Sequence, residues 1–288
     1  MGTIVCPKCG KTIFKQDEVA FVCPECGSIV LVEEPTSEAE ELVVGPLPSP
    51  DPGAITLPPK SDPMPSPAPD YGKEPVVDAE QGLALYGIYP QRAVTDPKLL
   101  KELGDLKEAT DNGWYFLKGK FYAKSGGWFL CSPIIWKVIR EEEGRLLLLS
   151  QSILELRRFF DGPQESDYRD SSIRKWLNGE FLSDAFSLDA DRIVPNPESE
   201  DKVFLLSAAE YADPANGFDE NPMAEDPNRG ASPSDYVKVR GFVSSFFTSS
   251  MGDGYGHPVR CYKPSGASTQ VPATCLGGIR PAIWIEAD

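Results

Sequence analysis

Four cysteines open the chain in two matching knuckles, Cys6 and Cys9 in CPKCG and Cys23 and Cys26 in CPECG, with thirteen residues between the pairs. A Cys-x-x-Cys turn points two thiolates into one small space, and the glycine after it lets backbone N–H groups approach the sulfurs. Two such knuckles complete a tetrahedron of soft ligands, which suits zinc above other divalent metals. The spacing therefore predicts one zinc on Cys6, Cys9, Cys23 and Cys26. Two disulfides or a rubredoxin-like iron site are the competing uses of the same sulfurs. A segment this short has no core of its own, so the metal supplies its folding energy.

The elements that must hold these ligands are brief. Lys11–Phe14 and Ala20–Val22 are expected as the two arms of a hairpin, with Ser28–Val32 as a third strand. Residues 4–32 are similar to the zinc-ribbon family, and the resemblance assigns the four ligands to the same cysteines.

Composition sets limits on the rest of the chain. The 288 residues leave room for a full domain beyond the ribbon, and 41% hydrophobic content is that of a globular protein. No apolar run approaches 18 residues and no leader sequence is recognised, so neither a membrane span nor a signal peptide is expected. Four ribbon cysteines leave Cys131, Cys261 and Cys275, an odd remainder that fits a reducing compartment and a cytoplasmic protein. A net charge of −16 argues against nucleic acid. The ribbon is no exception, because Lys8, Lys11 and Lys15 are balanced by Asp17, Glu18 and Glu25.

Residues 33–80 hold 12 prolines, 11 acidic residues and two lysines. Such a stretch cannot bury enough apolar area to offset its ordering, and it reads as a disordered acidic tether. Its Pro-x-x-P spacings fit a spacer better than a docking peptide. The domain division is then a ribbon at 1–32, a linker at 33–80 and a larger body at 81–288, with ribbon and body independent.

The larger body reads as mixed α and β. LALYGIYPQ is a strand ended by Pro90, and Asp96-Pro97 caps and opens a helix. WYFLKGKFYAK is a hairpin about Lys118-Gly119, and PIIWKVIREEEGRLLLLS is another with its turn at Glu141–Gly144. SILELRRFF and SSIRKWLNGEFLSDAF are expected helical, the second capped by Ser171 or Ser172. DKVFLLSAAEY reads as a strand entering a helix through a capping box, Ser207 to Glu210. An acidic loop near 212–235 leads to short strands, and IRPAIWIEA closes the chain.

Four of these stretches, YGIYPQ, PIIWKVI with LLLLS, SSIRKWLNGEF with DKVFLLSAAE, and GGIRPAIWI, together resemble an uncharacterised bacterial domain family over nearly all of 84–286. That resemblance implies an α+β, C-type-lectin-like fold related to formylglycine-generating enzymes. In such a fold the terminal strand pairs with the opening one and long loops form the binding face. The stretch SSFFTSSM at 244–251 departs from the family's Trp-rich, Arg-containing strand. The apolar neighbours of Trp136, Trp176, Leu177 and Trp284 assign them to the core, and Arg280 is expected to brace a carboxylate such as Asp170 or Glu210.

Little else has the makings of catalysis. His257, the one histidine, sits in a glycine-rich turn and excludes multi-histidine metal sites. Cys261 and Cys275 offer a redox pair by analogy with the copper-binding cysteines of formylglycine-generating enzymes. ENP and DPN in the acidic loop offer oxygens for calcium. Residues 249–266 place Asp253, Tyr255, His257, Arg260, Tyr262 and Lys263 among glycines, a mixture suited to recognition. The reading is a non-enzymatic two-module binding protein, a zinc-stabilised docking head with a domain that recognises a protein or small ligand. An oxidase using Cys261 and Cys275, and nucleic-acid binding through the ribbon, are the alternatives.

Overall fold

A computed structural model describes residues 3–14, 19–32, 74–161, 167–186, 190–253 and 258–287. The expected tether, as far as residue 73, lies outside the described residues, as do Tyr255 and His257.

The cysteines sit on two hairpins, β1 (Thr3–Val5) with β2 (Thr12–Phe14) and β3 (Ala20–Val22) with β4 (Ile29–Leu31). This corrects the expectation that β2 and β3 are arms of one hairpin. Each pairs instead with the strand across its own knuckle. Gly10 and Gly27, at φ 70° and 72°, take the left-handed backbone that returns the chain after each Cys-x-x-Cys.

The larger body is mostly strand with few helices. It starts with β5 (Val76–Asp78), inside the stretch read as linker, paired with β6 (Leu83–Ala93). β6 does not end at Pro90 but continues past it through an irregularity in its pairing with β9 (Trp128–Glu142). The expected helix α1 (Pro97–Gly104) is capped by Asp96, which accepts from Lys98 N at 2.9 Å. Both expected hairpins are present: β7 (Tyr115–Leu117) with β8 (Lys120–Lys124), and β9 with β10 (Arg145–Ser150). Their turns use paired positive φ at Lys118-Gly119 and Glu143-Gly144, which matches the twist of the flanking strands.

SILELRRFF is not a helix. Its centre is strand β11 (Glu155–Arg158), paired with β17 (Leu276–Ile279). The helical run at 172–186 is α2 (Ser172–Trp176), a π turn at Leu177–Phe181 and α3 (Leu182–Phe186), with Ser171 as its cap. Then come β12 (Ile193–Val194), β13 (Val203–Phe204), α4 (Asp235–Arg240), β14 (Phe246–Met251), β15 (Pro258–Tyr262), β16 (Ser268–Pro272) and, after β17, β18 (Ala282–Glu286).

These strands make two sheets. One runs β12–β18–β10–β9–β6–β5, with β13 also on β18 and the β7–β8 hairpin on β9; the other runs β11–β17–β14–β15–β16. β10 is buried on both faces, Leu146 and Leu148 in one apolar cluster and Leu147 and Leu149 in another. A strand covered on both sides needs no polar alternation, which is why it reads as an unbroken leucine run. The terminal strand β18 pairs with β10, and two strands separate it from β6. The expectation that it returns to the YPQ strand is corrected.

The ribbon is not independent of this body. Ala20 and Ile29 are fully buried against Leu85, with Val22, Leu31, Leu83 and Ile135 around them. Along β6 and β9, Leu83, Leu85 and Ile135 face the ribbon, while Ala84 and Trp136 face the main core on the other side.

Candidate metal centre and recognition face

All four ribbon sulfurs lie within 4.8 Å of one another. Cys6 Sγ is 3.7 Å from Cys26 Sγ, and Cys9 Sγ is 3.8 Å from Cys23 Sγ. A disulfide requires about 2.05 Å, whereas metal–sulfur bonds of about 2.3 Å give a tetrahedron with edges of about 3.8 Å. The cysteines are unbonded and their separations are those of a four-sulfur metal site. The two knuckles are built alike. Gly10 N donates to Cys6 O and Cys6 N to Lys11 O, while Gly27 N donates to Cys23 O and Cys23 N to Ser28 O. The Cys9 amide, opposed by burial and helped by the Lys8 amide and neighbouring sulfurs, pulls the Cys6 thiol down to about 7. At Cys9 the Lys11 amide acts downward, but burial and the neighbouring sulfurs push the thiol up to about 12. Four thiolates crowd one another, and a cation is what makes their joint ionisation favourable.

The family-like motifs are occupied with holding the fold. Ser171 Oγ accepts from Arg174 N, and Arg174 grips Asp201 at 2.8 and 3.0 Å. Asn178 spends its amide on Val203 O, Arg174 O, Lys202 N and Val203 N, tying the π turn to β13. Ser207 and Glu210 close the expected capping box, each accepting from the other's N–H. Trp136, Leu177 and Trp284 are core residues, and half-buried Trp176 lies under the Arg157 guanidinium. In the YPQ stretch, Tyr89 donates to buried Glu155, which Arg240 also reaches, and Gln91 donates to Ser132 O and Pro133 O.

Among the described residues Arg280 braces no carboxylate, contrary to expectation. Fully buried, it donates to Ser150 O and Arg229 O, with the Tyr211 hydroxyl beside it. Its neighbour Arg229 escapes the sequence reading, although an arginine among Gly, Pro and Asn in an acidic loop is the available signal. Also fully buried, it donates to five backbone carbonyls, those of Tyr211, Asp219, Asn221, Ala224 and Gly266. Backbone carbonyls of the acidic loop that a calcium ion could use thus already face a guanidinium. ENP and DPN form local turns, in which Asp219 accepts from Asn221 N and Asp226 from Asn228 N.

The glycine-rich stretch is brought together only in part. Asp253 and Arg260 form an exposed ion pair at 2.8 Å, and Lys263 is exposed at the β15–β16 turn. Tyr262 is a core residue, 1% exposed, packed on Tyr211 and Phe246 and donating to Ala208 O. Its place in a recognition surface is corrected for that reason. Cys261 is buried, its thiol pushed up to about 12 by desolvation, and Cys275 is exposed.

A cleft of about 530 Å³ opens between β9, the end of β10, the 225–232 loop and the Pro264-Ser265 turn. Its one cationic side chain is Lys137, and a lysine in the middle of the apolar strand PIIWKVI is the sequence signal for it.

Residues 143–287 match the family described as a domain of unknown function, DUF6273. Within that span the first strand, β10, and the last, β18, are neighbours, so the matched region closes on itself. No curated protein and no solved structure matches the chain. No helix among the described residues is long and apolar enough to cross a membrane.

Proposed function

The chain belongs to the DUF6273 family, and from that premise we propose that it is a non-enzymatic binding protein whose head is a zinc ribbon docked on the recognition domain. The observation that carries the ribbon is the sulfur geometry, with separations of 3.7 and 3.8 Å in a site where each ligand is a thiol. Four soft ligands on tetrahedral edges suit zinc, with iron as the other metal of that donor set. Recognition rather than catalysis is supported by how the motif residues are used. Arg174, Asn178 and Glu210 spend their polar atoms on the fold, and Arg280 gives its Nε and Nη1 to backbone carbonyls. A thiol held near 12, as at Cys261, is also a poor nucleophile or copper ligand at neutral pH. The C-type-lectin-like description rests on the motif order alone, since β18 pairs with β10 and not with the YPQ strand.

One preparation tests the whole reading. The full chain is analysed for metal and assayed for copper-dependent thiol oxidation. We expect one zinc per chain and no turnover. Bound iron overturns the zinc assignment, and tight copper binding with turnover that is lost in Cys261→Ser overturns the non-enzymatic one.

A further inference from the structure

Lys137 stands where the sheet leaves little room for a charge. It lies in the middle of β9, opposite Leu83 of β6 on one side and Leu149 of β10 on the other. Ile135, two residues earlier, shares its face of the sheet. The stem therefore runs among apolar side chains, and the residue is half-buried. Its amine ends in the cleft of about 530 Å³, where Nζ donates to Asn228 O of the 225–232 loop.

A lysine desolvated in this way is usually held by a carboxylate, and this one is not. The bond to Asn228 O is long, 3.3 Å, and among the described residues Lys137 makes no ion pair. Three charged groups bear on it. Arg280, fully buried, repels its ammonium, and Asp226 attracts it from the loop. Asp226 is itself committed, accepting from the Asp219 and Asn228 amides. Glu225 is the other ionisable side chain that lines the cleft. Burial first, and then the Arg280 charge, pull the Lys137 ammonium below its ordinary range, with Asp226 opposing.

Desolvation and a neighbouring cation are the two circumstances that make a lysine nucleophilic, because each favours the neutral amine. The cleft can also hold what such an amine attacks. Its volume is within the range of small-ligand sites, and Ser152, Ser232 and Ser265 line it with hydroxyls suited to a polar adduct. Its walls are braced against each other. Ala231 N donates to Pro264 O at 3.1 Å, Asp226 N to Ser265 O at 3.0 Å and Ile153 N to Ser232 O at 3.0 Å.

We propose that Lys137 captures small aldehydes in this cleft as a reversible imine. The amine adds to the carbonyl carbon and one N–H proton passes to the carbonyl oxygen. The carbinolamine then loses its hydroxyl and the second N–H proton as water, leaving a C=N bond. Hydrolysis returns both partners, and no oxidant or cofactor is consumed. The site deepens the recognition reading, on which it rests, and does not involve the metal centre.

The test uses the intact, metal-loaded chain with propanal as the probe and cyanoborohydride to reduce the imine. Peptide mass spectrometry then reads the rate at each lysine, with exposed Lys98 and Lys263 as internal references. At neutral pH Lys137 is expected to be alkylated several-fold faster than either. Its rate should level off as propanal is raised, as occupancy of a cleft requires, while theirs rise in proportion. Lowering the pH protonates every lysine, but Lys137 should keep its reactivity to a lower pH than the references, since its ammonium releases the proton more readily. In the chain unfolded by urea the three should react alike. Alkylation of Lys137 no faster than that of the references, a rate that does not saturate, a shared pH profile, or a preference that survives unfolding overturns the proposal. Metal content and the oxidase assay do not read Lys137, so this proposal and the two-module reading fail separately.

Discussion

Tyr262 and Arg260 lie two residues apart on β15 and have opposite fates. Arg260 faces water and holds Asp253, whereas Tyr262 is buried among Tyr211, Phe246 and the Arg229 guanidinium. Truncating a buried aromatic removes its packing and leaves a cavity, so Tyr262→Ala should lower stability by about 3–5 kcal/mol in a urea titration. Arg260→Ala removes one exposed ion pair and should stay within about 0.5 kcal/mol. Equal effects would mean that the burial of Tyr262 is misplaced. The sequence could not separate the two, because glycines and charges surround both and the partners of Tyr262 come from segments 16 and 51 residues away. The ribbon cysteines were legible for the opposite reason. A Cys-x-x-Cys-Gly knuckle encodes its geometry in five consecutive residues, and only the pairing of the sulfurs across knuckles needs the fold.

At the scale of elements the same contrast holds. Asp96, Ser171 and the Ser207–Glu210 box cap where expected, and both hairpin turns fall where Lys-Gly and Glu-Gly demand positive φ. Each is decided by a few neighbouring residues. At β11 the local pattern is ambiguous, because Leu154 and Leu156 fit a short helix as well as a strand, and pairing with β17, some 120 residues later, decides it. One interior side chain gathers much of the 208–232 loop. Arg229 gathers carbonyls from five residues, and without it those acceptors would be buried with no donor. Arg229→Met keeps much of the bulk and none of the donors. It should cost about 3 kcal/mol or more and open the loop to limited proteolysis. Because the carbonyls are already taken, millimolar calcium should leave the melting temperature of the unaltered protein where it is. A calcium-dependent rise would show that the loop rearranges around an ion.

The arrangement of the whole molecule overturns the picture of two bodies on a tether. A composition that rich in proline and acid said only that 33–80 has no core of its own; it could not say that the ribbon beyond it carries an apolar face that fits the large sheet. That face is Ala20 and Ile29 on Leu85, and its backbone is bonded too. Ile29 N donates to Asp78 Oδ2 at 3.1 Å, and Gln81 Nε2 donates to Ile29 O at 2.8 Å. Burial works against the charged form of Asp78, but the Gln81 and Ile29 donors prevail and hold its carboxyl below the usual range. Ile29 follows the second knuckle by three residues, so the metal that fixes Cys23 and Cys26 also fixes the strand that docks. Burying Ile29 and its neighbours contributes about 2 kcal/mol, which moves the melting of a body of this size by about 4–8 °C. Removing the metal, by a chelator or by Cys6→Ser, should therefore lower the melting transition of the large body by several degrees. Ile29→Asp should lower it by a similar amount while the metal stays bound, which separates docking from metal loading. If the transition is unmoved in both, the ribbon does not stay docked in solution. Hydrogen exchange at β5 and β6 gives the local check, since their amides should lose protection when the ribbon leaves and the rest of the sheet should keep it.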